Sequence, residues 1–143
     1  MADDNCLFCR IVSGEVAATV VYVDPNAIAF LDHRPLFHGH TLLVPRQHVE
    51  TLVDLPSKLI EPFFTAAQSL ARAVEFALDA EGTFVAMNNR VSQSVPHLHV
   101  HIVPRRKKDG LKGFFWPRTK YKDEEEMKKV QKKIAAALQE LSH

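Results

Sequence analysis

The stretch His97-Leu98-His99-Val100-His101-Ile102-Val103 alternates imidazoles with aliphatic side chains. This strict period of two, with β-branched Val100 and Ile102 among the intervening residues, predicts a β-strand rather than a helix. Neighbouring side chains of a strand point to opposite faces, so the three imidazoles share one face at a spacing of about 6–7 Å. The aliphatic residues then line the other face. The stretch therefore predicts a strand with one face for chemistry and one face for the core.

Three imidazoles on one face indicate a functional site. Near neutral pH an unprotonated imidazole can attack phosphorus or carbon, bind a metal ion or transfer a proton. The alternative is a solvated edge strand that carries histidines without a role. Histidine has only a middling strand propensity, and clusters of it usually mark a site, so we favour the functional interpretation.

The composition favours one globular domain over residues 1–143. Hydrophobic residues make up 46% of the chain, which is enough for a real core. The 18 basic and 17 acidic residues give a net charge of +1, so no overall field attracts nucleic acid or an anionic membrane. The acidic start lacks a signal-peptide pattern and no apolar run approaches a membrane span. We therefore expect a cytoplasmic protein without a nucleic-acid or membrane partner.

Local patterns predict three helices and five strands. A short helix at residues 6–13 follows Asn5 as its N-cap, and a strand at 40–44 ends before Pro45. The remaining predicted strands cover 20–23, 27–31, 83–87 and 97–103. The remaining predicted helices cover 57–78 and 123–141. Antiparallel pairing is the simplest topology for these strands.

The two longer helices carry apolar stripes at helical spacing. The stripe of the first comprises Ile60, Phe64, Ala67, Leu70, Val74 and Leu78. The stripe of the second comprises Met127, Val130, Ile134, Leu138 and Leu141. We expect the first helix to pack on the sheet and the second to pack on the same domain or on a second subunit.

The chain resembles a known family. Residues 97–103 match the His-φ-His-φ-His-φ-φ signature of the histidine triad (HIT) superfamily of nucleotide hydrolases and transferases, where φ is hydrophobic. Residues 29–32, 39–48 and 93–95 also look like HIT segments, so the resemblance covers about residues 5–106. It implies an α+β fold with a five-stranded antiparallel sheet, one long helix and nucleotides bound at the sheet surface. The short N-terminal helix and residues 107–143, with their own helix, complete the chain, and the resemblance also implies a homodimer.

The resemblance also assigns catalytic roles. In similar enzymes the middle histidine, here His99, attacks the α-phosphorus of a nucleotide and forms a nucleotidyl-imidazole that water hydrolyses. His101 would bind or protonate phosphate oxygens, and His40 would support the histidine network. Asp32 would accept hydrogen bonds from ribose hydroxyls, although a turn residue at a strand end is the alternative.

The nucleotide pocket implied by the resemblance draws on two further segments. Leu7, Phe8 and Ile11 would form walls around the base, and an ordinary core position is an equal alternative for all three. Gln93 and Ser94 would hold the phosphate or the leaving group, and Asn88 or Asn89 would contact phosphate or ribose. Many relatives have a glycine-rich loop here, whereas residues 88–92 contain no glycine. The path of this loop is therefore left open.

A second cluster begins with Cys6 and Cys9, the only cysteines. Their spacing in a reducing compartment favours a metal or redox pair over a structural disulfide. In some HIT proteins such a pair is completed by two histidines that map here onto His48 and His97. The resemblance thus implies a closed, structural zinc site with four ligands, as in bacterial zinc-containing HIT proteins. Two buried thiols are the alternative. His33, His38 and His143 are expected to be surface or network residues.

The segment 105–122 alternates basic and aromatic residues. Its charges could meet the far phosphates of an extended substrate, and Trp116 could stack on a second base, which would favour dinucleoside polyphosphates. A solvated basic loop with buried aromatic residues is the alternative.

The resulting prediction is a hydrolase or nucleotidyl transferase that cleaves at the α-phosphate of a purine nucleotide derivative. Its substrate would be a phosphoramidate, a dinucleoside polyphosphate or a similar compound, and no catalytic metal is required. One alternative is a nucleotide-binding regulatory module with incidental turnover. Another is an interaction protein held together by zinc.

Overall fold

The computed structural model describes residues 3–111 and 117–141. The chain forms two compact units, Met1–Asp109 and Gly110–His143. Among the described residues, the first unit contains a five-stranded sheet with two α-helices, and the second contains one α-helix. The extent of the domain as residues 1–143 stays a prediction.

The strands follow one another in groups of three and two between the α-helices, which is an α+β arrangement. The helices are α1 (Leu7–Val12), α2 (Ser57–Leu78) and α3 (Glu124–Leu141). The strands are β1 (Val20–Val23), β2 (Ala27–Leu31), β3 (Thr41–Pro45), β4 (Gly82–Ala86) and β5 (Val100–Arg105). The predicted fold class is therefore confirmed.

The sheet has the order β1-β2-β3-β5-β4, and all neighbouring strands are antiparallel. In the centre β3 pairs with β5, with Leu42 opposite His101 and Leu43 opposite Val100. Two segments that are distant in sequence therefore meet at the middle of the sheet, and the central histidines lie beside β3.

Successive residues of the central strands alternate between two buried clusters, as the pleat requires. One cluster contains Ala29, Leu43 and Ile102 together with buried residues of α2. The other contains Phe30 and Leu42 together with residues 6, 8 and 9 at the start of α1. The sheet is therefore covered by α2 on one face and by α1 on the other, and the face beneath α1 is the one that bears the imidazoles.

The buried side of α2 differs from the predicted stripe in its first half. Phe63 is only 1% exposed and Leu59 is also buried, whereas Ile60 and Phe64 are 45% and 36% exposed. Leu59-Ile60 and Phe63-Phe64 are pairs of adjacent apolar residues. A period of 3.6 therefore fits the first members of the two pairs as well as the second members. Contact with the sheet, rather than the helical pattern, selects the buried set.

The strand predicted at 97–103 begins three residues later, at Val100. Continuing the β3–β5 register would place Leu98 opposite Pro45, and proline has no N–H for the ladder. The N–H of Leu98 instead donates to the carbonyl of Val49 at 2.8 Å. The predicted separation of faces survives, because Leu98, Val100 and Ile102 are buried in the cluster that contains α2.

The start of α1 also differs from the prediction. Its N-cap is Cys6, not Asn5, and the Cys6 sulfur accepts a hydrogen bond from the backbone N–H of Cys9 at 3.4 Å. A sulfur atom thus takes the place of the side-chain oxygen that usually caps a helix. In the second unit, α3 has three glutamates in its first turn, where the helix dipole favours acidic groups.

Candidate active site

Four side chains from three separate segments converge beside α1. Cys6 and Cys9 come from the first turn of this helix, His48 follows β3, and His97 precedes β5. The Sγ atom of Cys6 lies 3.3 Å from Nδ1 of His97, and the Sγ atom of Cys9 lies 3.3 Å from Nδ1 of His48. All four potential ligand atoms lie within 4.8 Å of one another. The predicted metal-ligand set is thus brought together in space.

The tautomer of His97 follows from its partners. Its Nε2 atom lies 2.8 Å from the carbonyl oxygen of Pro45, which can only accept, so Nε2 carries the proton. The Nδ1 atom therefore presents a lone pair toward the sulfur atoms. Burial, the largest cause, lowers the pKa of His97 to about 4, and burial also raises the pKa of the Cys9 thiol. The ring is consequently neutral at physiological pH, as a metal ligand must be.

The separations between these donors fit a bound metal ion. The two Nδ1 atoms of His48 and His97 lie 3.2 Å apart, and Cys9 Sγ lies 3.6 Å from His97 Nδ1. A tetrahedral ion with metal–nitrogen bonds of about 2.05 Å and metal–sulfur bonds of about 2.3 Å separates its ligands by roughly 3.3–3.8 Å. The four residues could therefore hold one metal ion without large movement.

His99 has its tautomer set by the backbone of the preceding histidine. Its Nδ1 atom lies 2.8 Å from the carbonyl oxygen of His97 and must donate to it. The second nitrogen, Nε2, is then unprotonated in the neutral ring. The ring of Phe8 packs edge-on against His99, with 5.1 Å between centroids. His99 therefore offers a nucleophilic nitrogen whose direction is fixed by two contacts.

His40 and His101 form a directed hydrogen-bond chain. The backbone N–H of Leu36 donates to His40 Nδ1 at 3.1 Å, which makes that nitrogen an acceptor. The proton of His40 is consequently on Nε2, from which it donates to His101 Nδ1 at 3.0 Å. His101 is then left with a proton on Nε2. The chain thus turns His101 into a hydrogen-bond donor beside His99, whose ring centroid is 5.1 Å away.

Burial keeps this pair of imidazoles neutral. It is the largest cause of the low pKa of His101, which is about 4, and it also lowers the pKa of His40. Asp32 acts in the opposite direction, because its Oδ2 atom lies 3.8 Å from His40 Nε2 and favours the charged ring. Desolvation outweighs this attraction, so the donor and acceptor pattern of the neutral rings holds near neutral pH.

A cavity of about 560 Å³ opens beside His99 and His101. This volume lies within the range of pockets that bind small molecules and cofactors. Its polar side chains are few. The residues that line it are Leu7, Phe8, Ile11, Val16, Ala17, Ala18, Thr19, Phe30, Leu31, Asp32, His33, Leu42, Ser94, Val95, His99 and His101.

Most of the predicted nucleotide-binding residues line this cavity, including those of α1. Three others do not. Asn89 accepts a hydrogen bond from the backbone N–H of Leu52 at 2.8 Å, and Asn88 donates to the carbonyl of Ser92 at 3.3 Å. The amide of Gln93 donates to the carbonyl of Glu50 at 2.6 Å. These side chains tether the loop that precedes Ser94, and their predicted contacts with a ligand stay predictions.

Sequence reasoning missed several residues that line the cavity. Phe30 and Leu42 face the cavity from β2 and β3. The alternation of those strands assigns both residues to the face opposite α2, so the sequence could have identified them if that face had been known to line the cavity. Residues 16–19 and Val95 lie in irregular segments, where the sequence has no periodic signal. His33, expected at the surface or in a network, also reaches the cavity.

The basic segment after β5 is only partly described. Arg105 forms an ion pair with Asp109, with 2.6 Å between Nε and Oδ2. Trp116, predicted to stack on a second base, and His143, expected to be a surface or network residue, lie outside the described residues. The role of this segment toward far phosphates therefore stays a prediction.

The sequence matches the model of a known family. The HIT domain family matches residues 13–108, which is most of the chain. The chain belongs to the HIT family. Among its HIT relatives is the "Protein hit" of Bacillus subtilis, which is 36% identical over 115 residues, or 79% of each chain.

Two further relatives carry names that state an activity. The adenosine 5'-monophosphoramidase HNT1 of Saccharomyces cerevisiae is 30% identical over 138 residues, or 96% of this HIT chain and 85% of the relative. The adenylylsulfatase HINT3 of Arabidopsis thaliana is 31% identical over 110 residues, or 76% of this chain and 56% of the relative.

Solved HIT structures share the fold. A HIT family member from Bacillus subtilis superposes with a TM-score of 0.84 at 32% identity, over 93% of this chain and 96% of the other. A zinc-bound histidine triad protein from Mycobacterium smegmatis gives a TM-score of 0.71 at 36% identity, over 95% and 96%. None of the described helices is long and apolar enough to span a membrane.

Proposed function

We propose that this HIT protein cleaves a purine nucleotide derivative at its α-phosphate through a covalent intermediate on His99. One observation carries the proposal. The His97 carbonyl accepts the Nδ1 proton of His99, and this leaves an unprotonated Nε2 on a residue that lines the cavity. Such a nitrogen is a ready nucleophile, and it does not need a separate base to activate it.

The proposed reaction has two displacement steps. The His99 Nε2 lone pair attacks the α-phosphorus, and the bond to the leaving group breaks. The leaving group departs with that electron pair and takes a proton from water where its basicity requires one. Water then attacks the same phosphorus and releases one proton to the solvent, the phosphorus–nitrogen bond breaks, and the electron pair returns to His99. The products are a nucleoside monophosphate, the leaving group in the protonation state that its basicity sets, and free enzyme.

The neighbouring side chains supply charge stabilisation and orientation. His101 donates its Nε2 proton as a hydrogen bond to the phosphate oxygens, where negative charge concentrates in the transition state. His40 is a positioning residue, because it holds Nδ1 of His101 as the acceptor. Asp32 would accept from the ribose hydroxyls, and Ser94 would hold the phosphate.

The apolar part of the cavity suits a nucleoside base. Leu7, Phe8 and Ile11 line it from α1, and an aromatic base gains stabilisation from such contacts. Two relatives are named as an adenosine 5'-monophosphoramidase and an adenylylsulfatase, and these names support an adenylyl derivative as the substrate. A phosphoramidate is therefore our first choice of substrate, ahead of a dinucleoside polyphosphate.

We further propose that Cys6, Cys9, His48 and His97 hold a structural zinc ion. Two thiolates and two imidazoles are a common ligand set for zinc, and the donor separations fit its tetrahedron. The zinc-bound relative from Mycobacterium smegmatis supports this assignment to zinc-containing HIT proteins. Four protein ligands leave no open position, so the ion would stabilise the fold and would not activate water. A homodimer and a cytoplasmic location stay predictions.

The experiment that tests the function is a trapping assay. Protein in excess is mixed with adenosine 5'-phosphoramidate, adenylyl sulfate or a dinucleoside polyphosphate. After quenching, the mass of the protein is measured by mass spectrometry. We expect an acid-labile nucleotidyl adduct on His99. His99→Ala should lack the adduct and lose at least about 10³-fold in turnover. The matched control is His38→Ala, because His38 is exposed and does not line the cavity.

A regulatory module that only binds nucleotides would behave differently. It would bind AMP but give no adduct, and His99→Ala would leave its slow turnover unchanged. That pair of results would refute the proposed reaction.

A further inference from the structure

His97 belongs to two sites at once. Its ring contacts Cys6 through Nδ1 at 3.3 Å and the Pro45 carbonyl through Nε2 at 2.8 Å. Its backbone carbonyl accepts the proton of His99 at 2.8 Å. One residue therefore joins the candidate metal site to the carbonyl group that sets the tautomer and direction of His99.

Helix α1 forms a second connection between the same two sites. It has only six residues, too few for a stable helix without tertiary anchors. Both cysteines are buried at its start, together with Phe8, which lies between them in sequence. The Phe8 ring packs against His97 at 5.9 Å, His99 at 5.1 Å and Phe30 at 5.4 Å between centroids. The same helix thus carries metal ligands and a wall of the cavity.

We infer that metal binding at Cys6, Cys9, His48 and His97 and nucleotide binding in the cavity are thermodynamically coupled, each strengthening the other. The inference rests on the proposed function for the identity of the two ligands. The metal ion would hold α1 and His97 in the positions that complete the cavity, so the metal-free protein would have to order them when a nucleotide binds. Linkage requires the effect to be reciprocal, so a bound nucleotide must raise the metal affinity by the same factor.

The coupling should be local. The larger core cluster, which joins α2 to the sheet, contains none of the four ligands. Its buried members include Phe63, Leu70 and Ile102. Loss of the metal ion should therefore release α1 and the segment around His97 while the sheet and α2 remain folded.

The test measures metal affinity, not activity. Zn²⁺ is removed from the full chain by a chromophoric chelator, with no nucleotide and with saturating AMP, which has no leaving group. We expect AMP to raise the Zn²⁺ affinity by at least about 5-fold, the lower end of typical couplings. His38→Ala, the exposed control, should show the same ratio. Phe8→Leu keeps an apolar wall but loses the ring contacts with both imidazoles, so its ratio should be smaller.

Each other outcome contradicts a stated part of the inference. Equal Zn²⁺ affinities with and without AMP would refute the coupling, and an undiminished ratio in Phe8→Leu would refute the route through α1. Loss of the whole far-ultraviolet circular dichroism signal on metal removal would refute a local mechanism. Isothermal titration of the zinc-loaded protein with AMP distinguishes failure of the coupling from failure of the proposed function. Absence of AMP binding would overturn the proposed function itself, and the coupling with it.

Discussion

Replacing Gly39 by alanine should destabilise the protein because two independent costs meet at this residue. Its φ of +101° lies in the region that L side chains avoid, and an added Cβ would overlap Cδ1 of Leu78. The backbone conformation costs about 1–2 kcal/mol. Leu78 is 36% exposed at the end of α2, so its Cδ1 can rotate away from the new methyl group at a cost of about 0.5–1.5 kcal/mol. Alanine recovers about 0.4–1 kcal/mol by restricting the unfolded chain, so we expect a net loss of about 1–2.5 kcal/mol.

Two other glycines separate these costs in the same assay, urea unfolding followed by circular dichroism. Gly14 has a φ of +83° but would place its Cβ in open space, so Gly14→Ala should lose only about 0.5–1 kcal/mol. Gly82 would also place its Cβ in open space, and no left-handed φ is required there, so Gly82→Ala should change stability by less than about 0.5 kcal/mol. If Gly39→Ala loses no more stability than Gly14→Ala, the overlap with Leu78 is not a real constraint.

Three further predictions concern the core, the loop and pH. Phe63→Ala should lower the free energy of unfolding by about 3–5 kcal/mol because Phe63 is 1% exposed, whereas Phe64→Ala should lower it by less than about 1.5 kcal/mol. Similar losses for the two variants in denaturant titrations would contradict the assigned buried face of α2. Gln93→Ala removes hydrogen bonds to the backbone of Glu50 and Arg90 and should cost about 1–2 kcal/mol by thermal unfolding, so an unchanged midpoint would show that the tether is unimportant. The pKa of His101 in the folded protein is about 4, below its ordinary value of 6.5. Between these two pH values the unfolded chain therefore binds more protons than the folded protein. The free energy of unfolding should consequently fall as the pH drops from about 6.5 to about 4. His101→Gln should reduce this slope in urea titrations at several pH values, and an identical slope would contradict the assignment.

Elements bounded by strong local signals could be predicted from the sequence. The strands Val20–Val23 and Ala27–Leu31 have the predicted bounds because Asp24-Pro25-Asn26 forces a turn between them. The helix Ser57–Leu78 also has its predicted bounds. Features set by distant partners could not be predicted in the same way. The onset of β5 depends on the absence of an N–H on Pro45 in the opposite strand, and the buried face of α2 depends on the sheet beneath it.

In the candidate site too, features set by local sequence could be predicted and features set by distant partners could not. The alternation of residues 97–103 places the imidazoles on one face, and the resemblance to the HIT family brings together four donors that the structure places within 4.8 Å. Ligand contacts of Gln93 and of Asn88 or Asn89 stay predictions. In the structure these three side chains form hydrogen bonds with backbone groups of their own loop and of residues 50–52. A polar side chain serves either partner equally well, and only the path of the chain decides between them.

The central pairing of β3 with β5 has a consequence for biosynthesis. Cys6 and His97 are 91 residues apart in sequence, and His40 and His101 are 61 residues apart. Contacts between such distant segments form slowly, because a long loop must close before they contribute. A ribosome-bound fragment that ends before residue 97 would lack His97, His99 and His101. The nascent chain should therefore complete the proposed metal-ligand set and the imidazole cluster in the same stage of its synthesis.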